Sequence, residues 1–396
     1  MIQISPETQL FIREHSSDDV RTLALQAKKY PDINMPTAIT QIAGRQVAAE
    51  KIPSWREIEE IWYPKHLSLE QCSSEITARY KARLSQGDSL TDLTGGFGID
   101  CSFLATGFKS ATYVERQEEL CEIAAHNFPI LNLNHINVRN EDGVAYLQTM
   151  SPVDCIFLDP ARRNEYGGKT VAISDCEPNV AELEDLLLSK ANRVMIKLSP
   201  MLDLSLALKE LKHTQEIHIL SVNNECKELL ILLGQTSPAE IAIHCVNLFT
   251  KGTQKEQHFV FTREQEQRSE CTYTESLENY LYEPNASLLK AGAFRSIAAV
   301  YSVRKLHPHS HLYTSDTFIE NFPGRIFRIV NHCSFNKKEV KENLADLKKA
   351  NVTVRNFPAT VAELRKRLHL TEGGDTYLFA STLNNGQKVI IRCEKV

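Results

Sequence analysis

The 396-residue sequence lacks the features of several protein classes. No apolar run approaches the roughly 18 residues that a membrane-spanning helix needs, and the first residues, MIQISPETQLFIREHSSDD, carry charges too early for a signal peptide. The ten cysteines are scattered singly, with no CxxC pair and no Cys/His cluster at zinc spacing, which predicts reduced thiols and no metal site. We therefore expect a globular protein that stays in the cytoplasm and has no membrane partner.

His307–His311, with the sequence HPHSH, is the only local histidine cluster of the chain. No second set of ligands stands near it in the sequence, as a zinc site would need. The pattern therefore favours a solvated turn over a metal site.

The segment Ser89–Asp100, SLTDLTGGFGID, has the pattern of a strand, a glycine turn and a helix. Apolar residues lead to Asp92 at the strand end, and an apolar helix begins at Ile99. Glycine lets the backbone approach a ligand closely, and a helix N-terminus presents free N–H groups. This arrangement predicts a site for a nucleotide-like ligand. The residues of the turn are Thr94, Gly95, Gly96, Phe97 and Gly98.

Features that the glycine turn lacks narrow the choice of ligand. Counted from Gly96, the sixth position is Cys101, where the dinucleotide fingerprint needs glycine or alanine for close helix packing. No Gly-Lys-Ser/Thr follows, as a phosphate-cradling loop requires. The strand-end acid Asp92 suits a cationic ligand that carries an amino acid better than it suits a pyrophosphate. We therefore predict S-adenosylmethionine as the cofactor.

Strand and helix patterns alternate over residues 86–235, and an acid follows several of the predicted strands. Repeated βα units predict a doubly wound, Rossmann-like α/β fold with ligands at the carboxyl ends of its parallel strands. Glu115, 23 residues after Asp92, can accept hydrogen bonds from ribose hydroxyls, and Asp142 can accept one from an adenine amino group. A single strand-end acid is usually a helix cap, but four of them, including Asp159, together with a glycine turn indicate a binding site.

The turn DLTGGFG, the later acids and the segment Asp159–Arg163, DPARR, resemble the successive motifs of class I S-adenosylmethionine-dependent methyltransferases. With KLSP at residues 197–200 and the basic tail, they resemble more narrowly the bacterial methyltransferases that end in a THUMP-like domain, a type of RNA-binding module. The resemblance implies an enzyme. In it, Asp92 and the glycine turn hold the methionine part of the donor, Glu115 the ribose and Asp142 the adenine, with Asp159 completing the site.

The resemblance also implies where methyl transfer takes place. Asp159 is the candidate for holding or deprotonating the acceptor, and Arg162 and Arg163 are suited to clamp a substrate phosphate. Arg162 stands where amino-group methyltransferases carry an aromatic residue, and Ser199 lies where carbon methyltransferases carry a cysteine nucleophile, so the acceptor atom stays open. The candidate catalytic residues are Asp159, Pro160, Arg162, Arg163, Lys197 and Ser199, with Asp203 as a further candidate.

Composition and element patterns divide the chain into five segments. Single helices are expected over Leu69–Leu84, Ala291–Val300 and Lys337–Ala350, and Asn384-Asn385-Gly386 predicts a tight hairpin. The segments are an N-terminal helical region (1–85), a methyltransferase domain (86–235), a β-hairpin extension or linker (236–284), a small α/β, ferredoxin-like segment (285–319) and a THUMP-like α+β domain (320–396).

The charge of the chain is unevenly distributed. Residues 285–396 carry 18 Lys and Arg against 9 Asp and Glu, whereas residues 1–284 carry 27 against 41. A basic tail on an acidic body predicts a polyanion partner such as RNA, held through phosphate contacts by the basic residues of 320–396. Solvated helix faces are the alternative explanation of the same charges.

Three functions agree with these patterns. The first is a methyltransferase that acts on tRNA or rRNA, with the basic C-terminal domain holding the substrate. The second keeps the methyl donor but transfers the methyl group to a protein or a small molecule. The third is a non-catalytic protein that binds S-adenosylmethionine and acts through its contacts with RNA or protein.

Overall fold

The structure is a computed structural model that describes residues 4–162, 172–236 and 238–396. The chain forms two compact units. The first contains residues 1–216 and 228–238, and the second contains residues 217–227 and 239–396.

The first unit begins with a helical region. Three of its helices start at a side chain that accepts a hydrogen bond from the backbone N–H three residues later, namely Ser5, Asp19 and Asn34; such caps satisfy groups that have no partner inside the helix. The helices are α1 (Pro6–Glu14), α2 (Val20–Leu25), α3 (Met35–Lys51), α4 (Pro53–Arg56), α5 (His66–Gln71) and α6 (Glu75–Ala82).

The helix expected over Leu69–Leu84, with Ser73 or Ser74 as its cap, begins after Ser74 as α6, but the residues before Ser73 belong to the separate helix α5. Cys72 and Ser74 both have extended backbone angles, which interrupt the helix. The break turns the side chain of Ser73 inward, where it is buried among charged groups. Tertiary hydrogen bonds have therefore overridden a helical sequence pattern.

A parallel sheet with alternating helices follows in the first unit and confirms the predicted fold class. Its strand order is β9-β7-β4-β1-β2-β3, and every pairing is parallel except that of β9 with β7. The central strands β4 and β7 are buried over most of their length, which explains their apolar runs at residues 155–158 and 194–196. The bounds are β1 (Gly87–Asp92), α7 (Ile99–Leu104), β2 (Phe108–Glu115), α8 (Glu118–Ile130), β3 (Ile136–Asn140), α9 (Gly143–Thr149), β4 (Val153–Leu158), β5 (Ala161–Arg162), β6 (Cys176–Glu177), α10 (Val180–Lys190), β7 (Ala191–Leu198), α11 (Leu204–Glu210), β8 (Thr214–Val222) and β9 (Glu225–Gly234). Most of β8 and the first residues of β9 belong to the second unit.

The second unit contains a hairpin and a seven-stranded sheet. Strands β10 and β11 pair antiparallel, as their sequence predicts. The sheet has the order β13-β14-β12-β15-β18-β17-β16. The bounds are β10 (Ala242–Leu248), β11 (Glu256–Phe261), α12 (Arg263–Arg268), β12 (Tyr280–Pro284), α13 (Ala286–Ala291), α14 (Ser296–Tyr301), β13 (Arg304–Lys305), β14 (Tyr313–Ser315), β15 (Gly324–Ser334), α15 (Lys337–Leu344), β16 (Asn351–Val354), α16 (Val361–Leu368), β17 (Thr376–Thr382) and β18 (Lys388–Lys395).

Two helix predictions in the second unit are wrong, and one turn prediction is confirmed. The helix expected over Ala291–Val300 is divided at Gly292, whose φ of +78° ends α13. The helix expected over Lys337–Ala350 ends at Leu344. Leu344 and Ala350 pack into the same core, whereas on one continuous helix their side chains would point in different directions. The Asn-Asn-Gly turn joins the antiparallel strands β17 and β18.

All ten cysteines of the chain have free thiols, as expected. Among the described residues, no helix combines the length and the apolar character needed to cross a membrane. The predicted boundaries of the five segments stay predictions.

Candidate functional site

Four of the predicted site residues come together at one edge of the parallel sheet. Asp92 ends β1, Glu115 ends β2, Asp159 directly follows β4, and Lys197 is the penultimate residue of β7. These four strands are neighbours in the order β7-β4-β1-β2, and their carboxyl ends share one edge because they are parallel. The sheet topology therefore produces the constellation that the sequence predicts.

Asp92 offers an acceptor that the described residues do not use. Its Oδ1 accepts a hydrogen bond from the backbone N–H of Thr94 at 3.0 Å, whereas its Oδ2 is buried without a hydrogen-bond partner. Burial raises the pKa of Asp92 well above its usual value, and the nearby carboxylates of Asp100, Asp159 and Glu115 raise it further. A cationic donor group on a ligand would satisfy the free oxygen and neutralise part of this negative charge.

The glycine turn leaves room at one position and not at another. Gly96 has a φ of +53°, and a Cβ atom there would have only the carbonyl oxygen of Thr94, at 3.8 Å, within 4 Å. A Cβ atom at Gly95 would lie 2.2 Å from the ring of Tyr113, so packing explains this glycine. Gly98 has a φ of +84° at the start of α7. The open face of the turn is therefore at Gly96.

Glu115 shapes the glycine turn from the neighbouring strand. Its Oε2 accepts a hydrogen bond from the N–H of Gly96 and its Oε1 accepts one from the N–H of Gln117, both at 2.9 Å. The side chain is largely buried. One lone pair on each carboxylate oxygen thus fixes the turn, and the remaining lone pairs can accept hydrogen bonds from a ligand.

Two further predicted cofactor residues have clear structural roles. The Oδ1 atom of Asp142 accepts hydrogen bonds from the N–H groups of Val144 and Ala145, both at 3.0 Å, and so caps α9. The ring of Phe97 packs against the ring of Trp55 in the core that the N-terminal helices form. Asp142 is exposed, and its Oδ2 atom can still accept a hydrogen bond from a ligand. The ring of Phe97 is buried, so only the backbone of this residue can contact a ligand.

Asp159 is tied both to the glycine turn and to Lys197. Its backbone N–H donates to the hydroxyl oxygen of Thr94 at 2.6 Å, which explains the hydroxyl residue at that position of the turn. Its Oδ2 lies 2.5 Å from the Nζ atom of Lys197, and the two side chains are 35% and 10% exposed. The carboxylate therefore faces outward from the sheet edge with the ammonium group beneath it.

A buried charge network that the sequence did not reveal supports Lys197. Lys81, in α6, has no exposed surface; its Nζ lies 2.8 Å from both carboxylate oxygens of Glu228 and 2.9 Å from Oδ1 of Asp100. The hydroxyl of Ser73 donates to Oδ2 of Asp100 at 2.7 Å and accepts from both lysines, at 2.9 Å from Lys81 and 3.0 Å from Lys197. The hydroxyl therefore links the two ammonium groups.

The network determines the charge state of Lys197. Burial by itself would lower the pKa of this lysine, but Asp159, Asp100 and Glu228 raise it overall. The ammonium group consequently stays protonated and holds the carboxylate of Asp159 in one orientation. The sequence showed Lys197 at a strand end and Asp100 in the first turn of α7. No local pattern connects these two residues to their partners in α6 and β9.

Contacts in the structure give Ser199 and Asp203 local roles in their loop and helix. Pro160 is buried, and the Oγ atom of Ser199 accepts a hydrogen bond from the N–H of Met201 at 3.3 Å. The Oδ1 atom of Asp203 caps α11. Arg163 and the side chain of Arg162 lie outside the described residues.

Comparisons with known proteins agree with this architecture. Family models described as a ferredoxin-like domain and as THUMP domain-like match residues 280–323 and 324–395. Over 100% of both chains, the sequence is 34% identical to a candidate methyltransferase from Porphyromonas gingivalis W83, whose crystal structure superimposes with a TM-score of 0.87. No curated protein matches the chain.

Two shorter solved structures resemble part of the chain at low sequence identity. An rRNA methylase from Streptococcus thermophilus is 13% identical over 40% of this chain and 94% of its own, with a TM-score of 0.31. A candidate methyltransferase from Streptococcus mutans, in complex with SAH, is 14% identical over 40% of this chain and 96% of its own, with a TM-score of 0.30.

The fold and the strand-end site define a class I methyltransferase. The full-length relative and the matched C-terminal domain then identify the narrower group: the chain belongs to the family of bacterial methyltransferases that end in a THUMP-like domain.

Proposed function

We propose that the protein is an S-adenosylmethionine-dependent methyltransferase that acts on RNA. The observation that carries the donor assignment is the buried, unpartnered Oδ2 atom of Asp92 beside the open face of Gly96. Several carboxylates surround this position and favour a cation. S-adenosylmethionine supplies a positively charged sulfonium centre and an amino acid moiety, so its chemistry fits these residues.

In this proposal the site residues take the roles that the family resemblance implies. Asp92 and the backbone of the glycine turn hold the methionine part of the donor, Glu115 the ribose and Asp142 the adenine. Asp159 holds or deprotonates the acceptor. Burial raises the pKa of its carboxyl, and Lys197 offsets part of that rise and orients the carboxylate. Arg162 and Arg163 are candidates for contacts with a substrate phosphate. Methyl transfer depends mostly on such positioning, because the reacting atoms must be aligned and about 3 Å apart.

The RNA assignment is supported by the C-terminal domain. The THUMP domain-like match coincides with the basic part of the chain, and THUMP domains are a type of RNA-binding module. Mass spectrometry of modified nucleosides from a strain without the gene and from its parent tests this assignment. Loss of one methylated nucleoside supports it, and identical nucleoside profiles contradict it.

We expect Gly96→Val and Glu115→Ala to weaken donor binding. The valine would fill the open face of the turn in a strained backbone conformation, and removal of the Glu115 carboxylate would leave the N–H groups of Gly96 and Gln117 without their acceptor, at a cost of about 1–3 kcal/mol. Calorimetry with S-adenosylmethionine measures the effect, with NAD as the control ligand. Binding of NAD without binding of S-adenosylmethionine would contradict the donor assignment.

We expect the affinity for S-adenosylmethionine to fall as the pH is lowered. Because the pKa of Asp92 is raised, this carboxyl takes up a proton at a higher pH than an ordinary aspartate and then no longer attracts a cation. Affinity is therefore fully present above the raised pKa and is lost as the pH falls through it. Calorimetry across pH checks this; Asp92→Asn should remove the dependence, and Asp88→Asn, at the exposed start of the same strand, should retain it.

We expect Lys337→Glu, Lys338→Glu and Lys341→Glu together to weaken RNA binding. The three side chains are exposed on α15, where they can reach phosphates without supporting the core. The triple variant should also flatten the salt dependence of binding and leave donor affinity unchanged. Filter binding over a salt series measures both quantities. Unchanged RNA affinity would indicate that α15 is a docking surface for another kind of partner.

A further inference from the structure

The histidine segment HPHSH lies in the second unit and forms a turn at residues 308–310, with Pro308 and His309 exposed as expected, but its outer histidines are held by contacts with other residues. The Nδ1 atom of His307 accepts hydrogen bonds from the side-chain amide of Asn356 at 2.9 Å and from the N–H of His309 at 3.1 Å. The ring of His311 stacks on Phe294, with 3.7 Å between the ring centroids and 22° between the planes. Of the three histidines, only His309 has an exposed side chain; His307 and His311 are half-buried.

Cationic side chains surround this segment. Lys305 is buried; its Nζ donates to the carbonyl oxygen of Pro308 at 2.7 Å and lies 5.1 Å from the ring centroid of Phe294. Lys388 donates to the hydroxyl of Thr382 at 2.7 Å.

The same region continues through Asn356. The hydroxyl of Thr382 donates to the carbonyl oxygen of Asn356, whose amide holds His307. Arg355 directly precedes Asn356 in the chain. The histidine segment, Lys388 and Arg355 are therefore joined by a continuous series of contacts within one unit.

The positive charge of this region exceeds its negative charge. The carboxylate of Glu283 is buried and is shared by two guanidinium groups, those of Arg325 and Arg355. Neither Lys305 nor Lys388 forms an ion pair with a carboxylate among the described residues. Such an excess of positive charge, from buried Lys305, half-buried Arg355 and exposed Lys388, favours an anionic ligand.

Two polar atoms of the region are buried without a hydrogen-bond partner in the described part of the chain. They are Nδ1 of His311 and Nε of Arg355. The backbone is also strained nearby, since His311 and Asn356 have φ values of +53° and +51°, which residues other than glycine rarely adopt. Burial lowers the pKa of His311 to about 4, and Lys305, Arg355 and His309 act in the same direction.

We propose that Lys305, His311, Arg355 and Lys388 form a phosphate-binding pocket that takes a phosphate of the RNA substrate. A phosphate has several acceptor oxygens and can satisfy ammonium, guanidinium and imidazole donors together. The pocket combines residues of the segments matched as ferredoxin-like and as THUMP domain-like, which gives the two segments a shared binding role. The choice of RNA as the source of the phosphate rests on the function proposed above.

Titration of the histidine rings by NMR in the full-length protein tests the pocket with inorganic phosphate as the probe. A bound anion stabilises the imidazolium form, so the titration midpoint of His311 should rise from about 4 when phosphate replaces chloride at equal ionic strength. The His311→Gln variant assigns the signal. A midpoint that phosphate does not move would overturn the proposal.

RNA binding by charge-matched variants tests the source of the phosphate. Arg355→Gln and Lys388→Gln should each weaken the binding of total tRNA and lower the slope of log affinity against log salt by about 0.7–0.9. Lys251→Gln, at an exposed lysine of the β10–β11 hairpin, removes the same charge and should leave the slope unchanged. Lys388 is exposed, so its variant tests the pocket even if the Arg355 variant fails to fold.

The outcomes separate the pocket from the proposed function. If phosphate moves the His311 midpoint but the slope for RNA is the same in all variants, the pocket serves a free anion and its assignment to RNA is overturned. If the variants lose RNA affinity while the intact protein transfers no methyl group to RNA, the pocket is supported and the proposed enzymatic function is contradicted.

Discussion

Asp159→Ala is expected to lower the rate of methyl transfer to RNA by about 10²–10⁴-fold while donor binding and the fold are retained. The carboxylate of Asp159 lies at the carboxyl end of the central strands, where the acceptor must lie in a doubly wound sheet. In this variant the Nζ atom of Lys197 still lies 3.4 Å from the Oδ2 atom of Asp100. The buried ammonium group therefore retains one carboxylate as a counter-charge.

The measurement is transfer of a labelled methyl group from S-adenosylmethionine to RNA from a strain without the gene. Asp159→Asn distinguishes two roles of the carboxylate. An asparagine that keeps much of the activity indicates that the side chain orients the acceptor, whereas one as inactive as alanine indicates that it removes a proton. Asp88→Ala, at the exposed start of the neighbouring strand β1, is the control and should retain activity. Full activity in Asp159→Ala would exclude this residue and direct attention to Lys197 and Asp203.

Lys81→Ala is expected to lower the free energy of unfolding of the first unit by about 3–5 kcal/mol. Lys81 has no exposed surface and faces two carboxylates, those of Glu228 and Asp100. Its removal leaves Glu228 buried without its counter-charge, which costs far more than the loss of an exposed ion pair. The exposed pair of Lys65 with Glu119 provides the control, since Lys65→Ala should have little effect.

Tryptophan fluorescence during urea unfolding measures this change. Both tryptophans of the chain, Trp55 and Trp62, lie in the first unit, so the signal reports on that unit. The double variant Lys81→Met with Glu228→Leu should recover most of the lost stability, because it removes the pair as a whole. A Lys81→Ala variant as stable as the parent would show that the buried network does not stabilise the fold.

The positions of Asp92, the glycine turn, Glu115 and Asp159 could be predicted because a local sequence pattern indicates each of them. The dozen residues from Ser89 to Asp100 contain a strand that ends in Asp92, three glycines and the start of an apolar helix. Such a short pattern is enough to predict a strand, a turn and a helix. The alternation of strands and helices then predicts that Glu115 and Asp159 follow neighbouring strands. The predicted fold class and the family resemblance were confirmed, whereas the chemical roles of the site residues stay predictions.

The buried network could not be predicted in this way. Lys81 lies in a segment with the pattern of an ordinary amphipathic helix, and a lysine in such a helix is usually solvated. Its partner Glu228 is 147 residues further along the chain. No local pattern identifies a pair at that distance, and the break between α5 and α6 that turns Ser73 inward depends on the same tertiary contacts.

The sequence by itself determined the class of fold, the glycine turn and the strand-end acids, because strand and helix periodicity and glycine conformation act over a few residues. Tertiary structure alone decided which charges are buried together. It brought Lys81, Ser73 and Glu228 beneath Lys197 and joined the histidine segment to Arg355 and Lys388, because the environment of a charged side chain depends on what distant segments pack around it.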